Sequence, residues 1–201
     1  MRTMVHRVID SVSDSSSGGA VLAGGMSRRM GVDKATIVVG GETMLERCLT
    51  ALGRAGLSPL TIVGGDSGNF PSDSAVHFHD EWPGEGPLGA LITALDRTHA
   101  HVVVVIACDL VDPSPEEINR VRDLLAGHQA VVPVVDGREQ WLHSVWRRDC
   151  RQALRAAFDR GVRAIREAVG GLDVLRVEVV DPTHYRDADT PEDLPPDCGR
   201  S

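Results

Sequence analysis

An unbroken apolar run in the middle of the chain, residues 101–107 (HVVVVIA), most strongly limits what the sequence can fold into. β-Branched side chains dominate this run, and they favour the extended backbone of a strand. A strand that is apolar at nearly every position is typical of the centre of a parallel sheet, where helices cover both faces. The run therefore predicts an α/β fold with a mostly parallel sheet.

Strand and helix patterns alternate along the rest of the chain, as expected for parallel strands joined by crossover helices. Short apolar segments predict further strands at residues 20–23, 59–63, 75–78, 130–135, 142–146 and 174–180. Apolar residues at helical spacing predict helices over residues 42–54, 88–95, 115–125, 149–158 and 162–169. The order of these elements predicts helices layered on a sheet.

The N-terminal segment differs in composition from the rest of the chain. Residues 11–19 (SVSDSSSGG) are polar and rich in glycine and serine, so they offer little apolar surface to bury. We therefore predict a flexible arm over residues 1–18 and a single domain over residues 19–201. A chain of 201 residues with 42% hydrophobic residues is long enough for one substantial core.

Charge and composition argue against several classes of partner. The chain has 29 acidic and 21 basic residues, a net charge of -8, whereas a surface that binds long nucleic acids needs excess positive charge. No apolar run is long enough to cross a bilayer, and no signal-peptide pattern follows Met1. The cysteines are scattered without a Cys-x-x-Cys pair, so no zinc site is indicated. We expect a cytoplasmic protein that binds neither nucleic acid nor membrane.

A glycine-rich, basic stretch follows the first predicted strand, at residues 22–34 (LAGGMSRRMGVDK). Its glycines let consecutive backbone amides turn toward one anion, and its basic side chains add charge-assisted bonds to phosphate oxygens. These residues are Gly24, Gly25, Gly31, Arg28, Arg29 and Lys34. The stretch lacks the Gly-Lys-Ser/Thr end of a P-loop and the spacing of a dinucleotide fingerprint. An ordinary solvated turn would not need this density of charge, so we predict a polyphosphate site.

Asp109 lies directly after the central predicted strand, next to Cys108. In open α/β sheets ligands bind outside the carboxyl ends of the strands, and Mg²⁺ uses one or two carboxylates together with substrate phosphates. A helix cap is the alternative role for this aspartate. Ser114 is the predicted cap of the helix that begins at Pro115, and Asp112 also lies nearer to that start. We therefore predict that Asp109 is a metal ligand.

Residues 22–34 resemble the signature of the MobA-like nucleotidyltransferase family, L-A-G-G-x-S-x-R-M-G-x-D-K. The matching positions are Leu22, Ala23, Gly24, Gly25, Ser27, Arg29, Met30, Gly31, Asp33 and Lys34. The resemblance implies a Rossmann-like, three-layer α/β/α nucleotidyltransferase fold with a Mg²⁺ cofactor. It also implies that the Leu-Ala-Gly portion lies against the base and ribose, whereas Arg29 and Lys34 hold the triphosphate. With Asp109, these two residues form the expected catalytic set.

Two other segments of the first half carry the resemblance. Asp109 matches the Mg²⁺-binding aspartate of a pattern similar to C-D-x-P, although Pro113 falls later than the family's proline. Asp80 precedes a Gly-Pro-Leu segment, residues 86–88, and resembles the family's acidic residue that contacts the nucleotide. From spacing alone, a loop carboxylate in solvent is an equal alternative for Asp80. The nucleotide-binding residues implied are Leu22, Ala23, Gly24, Gly25, Arg29, Lys34, Asp80 and Asp109.

The second half adds three candidates for contact with the acceptor or with a metal. Asp187 and Asp189 belong to residues 187–194 (DADTPEDL), which are similar to the family's D/N-x-D/N-T-P-E-D/E-L motif. A helix start capped by Thr190 is the alternative role of this segment. His143 lies in a segment similar to Q-P-L-H-x-L, which borders the family's acceptor site, although a tryptophan replaces the proline. No group that would pair with His143 is evident from the sequence.

The resemblance spans most of residues 20–194 and implies the activity of a molybdenum cofactor guanylyltransferase. In that reaction GMP is transferred from GTP to Mo-molybdopterin, and pyrophosphate leaves. Transient contact with enzymes that make or receive the molybdenum cofactor would follow. Three alternatives stay open at this point: a molybdopterin cytidylyltransferase, an enzyme that activates a sugar or isoprenoid-precursor phosphate, and a non-catalytic nucleotide-binding module.

Overall fold

A computed structural model of the protein describes residues 16–24, 34–66, 74–188 and 193–194. The strands are β1 (Ser17–Leu22), β2 (Val38–Val39), β3 (Glu42–Thr43), β4 (Leu60–Val63), β5 (Val76–Phe78), β6 (Val102–Ala107), β7 (Ala130–Val135), β8 (Arg138–Glu139), β9 (His143–Arg147) and β10 (Val174–Glu178). The helices are α1 (Met44–Arg54), α2 (Pro87–Arg97), α3 (Pro115–Asp123), α4 (Arg151–Asp159) and α5 (Ile165–Ala168). Within these described ranges, no helix is long and apolar enough to cross a membrane.

The main sheet runs in the order β10-β7-β9-β6-β1-β4-β5, and β8 pairs with β7. Neighbouring strands are parallel except that β9 lies antiparallel to β6 and β7, and β8 turns back on β7. β2 and β3 form a small separate sheet. The mostly parallel sheet expected from the sequence is confirmed.

Helices cover both faces of this sheet. α2, α4 and α5 contribute to one hydrophobic core, and α1 and α3 contribute to the other. β6 contributes to both, because alternate side chains of a strand point to opposite faces. Val103 and Val105 lie in the first core, and Val104 and Ile106 lie in the second. The three-layer α/β/α architecture and the burial of this strand on both faces are therefore confirmed.

β1 begins at Ser17, inside the segment predicted as a flexible arm. The glycines that suggested flexibility are instead buried where their neighbours leave no room for a side chain. A Cβ atom on Gly18 would lie 2.6 Å from the Thr98 side chain and 3.0 Å from the Pro59 carbonyl oxygen. The predicted end of the arm at residue 18 is therefore wrong, because glycine here permits close packing of a strand. Residues 1–15 lie outside the described residues.

Local capping explains where α1 and α3 begin. The Thr43 hydroxyl accepts a hydrogen bond from the Glu46 amide at 3.1 Å, and the Glu46 carboxylate accepts one from the Thr43 amide at 2.7 Å. Ser114 caps α3 as predicted, because its hydroxyl accepts a hydrogen bond from the Glu117 amide at 3.2 Å. Caps of this kind contribute about 1 kcal/mol each to stability.

Some predicted boundaries differ from the structure by a few residues. α5 spans Ile165–Ala168, whereas the apolar pattern predicted a helix over residues 162–169. β10 ends at Glu178, short of the predicted end at residue 180. Apolar periodicity locates the middle of an element, but its ends depend on caps and on neighbouring segments.

Parallel pairing brings several chain segments to one edge of the sheet. Leu22, the last residue of β1, pairs with Ala107, the last residue of β6. It also pairs with Val63, the last residue of β4. The predicted phosphate-binding stretch and Asp109 therefore start from the same edge, which is the usual ligand-binding edge of an open α/β sheet.

Candidate active site

The backbone that follows β1 is held between β4 and β6. The Cys108 amide donates to the Leu22 carbonyl oxygen at 3.0 Å, and the Ala23 amide donates to the Val63 carbonyl oxygen at 2.8 Å. Leu22 and Ala23 are both buried. The start of the predicted nucleotide-binding stretch is thus anchored on the sheet.

Gly64 makes room for this segment. Its φ is +80°, and a Cβ atom here would lie 2.8 Å from the Gly24 Cα and 2.9 Å from the Gly24 nitrogen. Two glycines that follow different strands therefore allow two backbones to touch beside the site. Sequence reasoning missed Gly64, although a Gly-Gly pair directly after a predicted strand was an available signal.

We expect Gly64→Ala to lower the free energy of unfolding by more than about 2 kcal/mol, because the new methyl group meets backbone that cannot rotate away. Gly56→Ala is the matched control, since Gly56 has a φ of +77° but nothing within 4 Å of its Cβ position. The control should lose only about 1 kcal/mol of unfolding free energy, the cost of placing alanine in the left-handed backbone region. Urea unfolding measures both losses, and equal losses would show that the contact with Gly24 has no energetic cost.

The structure brings Lys34 and Asp109 together. Lys34 opens the 3-10 turn Lys34–Thr36, and its Nζ lies 2.9 Å from Asp109 Oδ2. The two side chains are 15% and 21% exposed, so solvent and salt screen this ion pair less than a surface pair. Both residues were predicted as parts of one nucleotide and metal site, and the structure places their side chains in contact. Their individual roles in catalysis stay predictions.

A short segment near the C-terminus lies alongside the residues that follow β6. Leu110 and Asp187 form an antiparallel bridge. The Ala188 amide donates to the Asp109 carbonyl oxygen at 2.8 Å, and the Ala188 side chain is fully buried. This anchoring places Asp187 beside Asp109. The alternative role of the motif, a helix cap at Thr190, falls outside the described residues.

His143 lies with these two aspartates in one cluster. Asp109, His143 and Asp187 each offer one atom that could bind a metal, and these atoms lie within 4.8 Å of one another. His143 Nε2 lies 3.1 Å from Asp187 Oδ1. His143 therefore has a partner that was not evident from the sequence. Forty-four positions separate the two residues, so only the folded chain shows the pair.

A hydrogen-bonded layer lies behind His143. The rings of His143 and Tyr185 meet edge to face, with centroids 6.3 Å apart, and the Tyr185 hydroxyl donates to Glu117 Oε1 at 2.8 Å. The pKa of the Tyr185 phenol is raised, mainly by burial. The pKa of the Glu117 carboxyl is lowered, mainly by the hydrogen bond from Arg120. A neutral phenol thus donates to an ionised carboxylate, which holds the tyrosine ring in place.

Asp80 has a structural task in the loop before α2. Its Oδ1 accepts hydrogen bonds from the Trp82 amide at 3.0 Å and from the Thr93 hydroxyl at 3.3 Å. These bonds tie the loop to α2. Asp80 is partly buried, and no observation decides between a loop carboxylate in solvent and a nucleotide contact. Contact between Asp80 and a nucleotide stays a prediction.

The remaining predicted site residues fall into two groups. Gly25, Arg29 and Asp189 lie outside the described residues, so their predicted roles are untested. The other candidates meet where β1 and β6 end, apart from Asp80, which follows the edge strand β5. The residues that meet there are Leu22, Ala23, Gly24, Lys34, Asp109, His143 and Asp187.

Residues 19–174 match the family model described as the MobA-like NTP transferase domain, which is well over half of the chain. The chain belongs to this family. Membership in the MobA-like family makes the protein a nucleotidyltransferase, and the family that the signature implied is confirmed.

Similar proteins match over nearly their full lengths. A protein of Mycobacterium marinum named "Probable molybdenum cofactor guanylyltransferase" is 31% identical over 198 residues, covering 96% of each chain. The crystal structure of molybdopterin-guanine dinucleotide biosynthesis protein A from Archaeoglobus fulgidus has a TM-score of 0.73 at 24% identity, covering 88% of this chain and 94% of that one. A 2-C-methyl-D-erythritol 4-phosphate cytidylyltransferase from Thermus thermophilus has a TM-score of 0.69 at 20% identity, covering 87% and 94%. At these identities the two solved structures confirm the fold alone.

Proposed function

We propose that this MobA-like protein is a molybdenum cofactor guanylyltransferase, which transfers GMP from GTP to Mo-molybdopterin and releases pyrophosphate. The mycobacterial relative supports this reaction, because its similarity extends over 96% of both chains. The observation that carries the proposal is the meeting of Lys34, Asp109 and Asp187 where β1 ends. One ammonium group and two carboxylates at this edge suit a metal-bound triphosphate.

The carboxylates of Asp109 and Asp187 fit a Mg²⁺ ion. They come from separate segments, yet their oxygens lie within 4.8 Å of each other. Two carboxylates at this distance repel each other, and a nearby cation relieves the repulsion. Mg²⁺ prefers hard oxygen donors and leaves positions for substrate phosphates. When bound, it would neutralise charge on the triphosphate and polarise the α-phosphoryl group.

The chain's own residues bind and orient the reactants. The backbone at residues 22–24 faces the base and ribose, and Arg29 and Lys34 bind the β- and γ-phosphates, as the family signature implies. Lys34 then exchanges Asp109 for the phosphates, which leaves the Asp109 carboxylate for the metal. His143 and Asp187 are the candidates for contact with the acceptor phosphate or the metal, as the resemblance implies.

The reaction forms one bond to phosphorus and breaks another. An oxygen of the acceptor's terminal phosphate attacks the α-phosphorus of GTP in line with the bond to the β-phosphate. That bond breaks as the new one forms, and pyrophosphate leaves with the electron pair. The step needs positioning and charge neutralisation, and it needs no protein nucleophile.

GTP is the expected donor among the four common nucleotides. We expect kcat/KM for GTP to exceed the values for CTP, UTP and ATP by at least about 10²-fold, because a site that hydrogen-bonds one base leaves polar groups unpaired with another. Pyrophosphate release with Mo-molybdopterin as acceptor measures these values. Preference for CTP would replace the guanylyl assignment by a cytidylyl one. The shared fold cannot choose the base, since a cytidylyltransferase has it too.

The sequence also left open a non-catalytic nucleotide-binding module, which membership in a family of nucleotidyltransferases disfavours. Such a module would bind GTP but release no pyrophosphate with Mo-molybdopterin, a sugar phosphate or an isoprenoid-precursor phosphate. The pairing of Lys34 with Asp109 argues against it, because binding alone does not require a metal ligand at this position.

The proposal also includes a cytoplasmic location and transient contact with enzymes that make or receive the cofactor.

A further inference from the structure

The imidazole of His143 lies between two groups of the chain. The Ala107 amide donates to Nδ1 at 3.4 Å, and Nε2 lies 3.1 Å from Asp187 Oδ1. The side chain is 5% exposed. Both ring nitrogens are therefore used inside the protein.

The topology explains why the Ala107 amide points at this ring. Successive amides of a strand point in opposite directions, and the next amide, that of Cys108, donates to Leu22 on the β1 side. The Ala107 amide therefore points toward β9, but Ile106 with His143 is the last pair of that ladder. The imidazole accepts the hydrogen bond that a longer ladder would have made.

This hydrogen bond assigns the tautomer of His143. A backbone amide only donates, so Nδ1 is the acceptor, and the neutral imidazole carries its proton on Nε2. The Nε2 proton then points at Asp187 Oδ1. A protonated nitrogen has no lone pair for a metal, so His143 lies within reach of the metal site without being a ligand.

The surroundings keep the ring in this orientation. A rotation of the ring by half a turn would place carbon atoms at both hydrogen-bonding positions. Tyr185 packs against the ring edge to face, and its hydroxyl is held by Glu117. The direction of the Nε2 proton is therefore set by the fold.

On the basis of the metal site proposed above, we propose that His143 is a positioning residue that holds Asp187 for Mg²⁺ and keeps nitrogen out of the coordination shell. An imidazole ligand would favour Zn²⁺ and other transition metals, whereas carboxylates suit Mg²⁺ and Mn²⁺. The tautomer of His143 thus contributes to the choice of metal. Its partner in this task is the backbone of Ala107.

The test uses Mn²⁺ as the probe on the full chain without nucleotide. His143→Gln keeps an N–H donor near the position of Nε2, and His143→Ala removes it. His128→Gln is the matched control, because His128 is also bonded to an aspartate, with Nδ1 3.1 Å from Asp173 Oδ2, but lies at the amino end of β7. Electron paramagnetic resonance of free Mn²⁺ gives the affinities, and its pulsed form detects a coordinated imidazole nitrogen.

We expect His143→Ala to bind Mn²⁺ about 10- to 100-fold more weakly, as for other residues that orient a metal ligand. His143→Gln should stay within about threefold of the wild type, and His128→Gln should not change. The wild type should show no coordinated imidazole nitrogen. Such a nitrogen signal, equal losses in the Gln and Ala variants, or no loss in the Ala variant would each overturn the proposal.

Two further outcomes separate this proposal from the proposed function. Mn²⁺ binding as expected, in a protein that does not use GTP, would leave the role of His143 intact and overturn only the guanylyl assignment. Absence of Mn²⁺ binding to the wild type would overturn the metal site and the role of His143 together. If His143→Ala does not fold, the proposal is decided by the nitrogen signal of the wild type and by the Mn²⁺ affinity of His143→Gln.

Discussion

We expect Asp109→Asn to lower kcat for nucleotidyl transfer by about 10³-fold or more and to leave the fold intact. Asparagine has the same shape but no charge, so it holds a divalent cation weakly and cannot offset the ammonium group of Lys34. Loss of metal-based charge stabilisation in a transferase of this type costs several kcal/mol in the transition state. The carbonyl oxygen of residue 109 still accepts the bond from Ala188, which preserves the adjoining backbone.

The measurement is the initial rate of pyrophosphate release at saturating Mg²⁺ and GTP, with circular dichroism to verify the fold. Asp112→Asn is the control, because this carboxylate is three positions further along and its side chain is 59% exposed. The control should keep nearly full activity. Turnover like that of the wild type in Asp109→Asn would contradict the metal assignment.

Lys34→Met has two effects of opposite sign. Without nucleotide, the ammonium group lies 2.9 Å from Asp109 Oδ2, where it competes with a cation for the carboxylate. Its removal should raise Mn²⁺ affinity by about 10-fold, given the strength of charge interactions near a protein surface. With nucleotide, the same change removes a positive charge from the leaving pyrophosphate and lowers kcat/KM by at least about 10²-fold.

Mn²⁺ titration and pyrophosphate release measure the two effects separately. Lys34→Arg keeps the charge, so it should bind Mn²⁺ like the wild type and lose less activity than Lys34→Met. A reduced Mn²⁺ affinity in Lys34→Met would contradict the competition.

Lys34 is also the only lysine in the sequence, so an amine-reactive reagent modifies it and the α-amino group alone. Mg²⁺ with GTP should protect it.

Features with a local cause were predicted well from the sequence. The apolar run at residues 101–107 predicted a strand buried on both faces, and β6 is that strand. Ser114 predicted the start of α3, because a cap depends only on the next few residues. The glycine-rich stretch at residues 22–34 carried enough of a signature to identify the family.

Features that depend on register or on close approach were predicted poorly. The serine and glycine composition near Gly18 suggested a flexible arm. Gly18 instead lies in β1, where neighbouring atoms leave no room for a side chain. Gly64 was not selected, since glycine is required there by contact with Gly24, which follows another strand. In both cases the reason for glycine is a contact between segments that are distant in sequence.

The amino-acid sequence by itself determined the α/β architecture, the family, and the candidates Lys34 and Asp109, because periodicity and short motifs express local physical preferences. Only the tertiary structure decided that Asp187 lies beside Asp109 and that His143 Nε2 lies 3.1 Å from Asp187 Oδ1. Those relations follow from the pairing of β6 with β1 and β9 and from the anchoring of residues 186–188. Register of this kind is a property of the packed sheet, and no single segment encodes it.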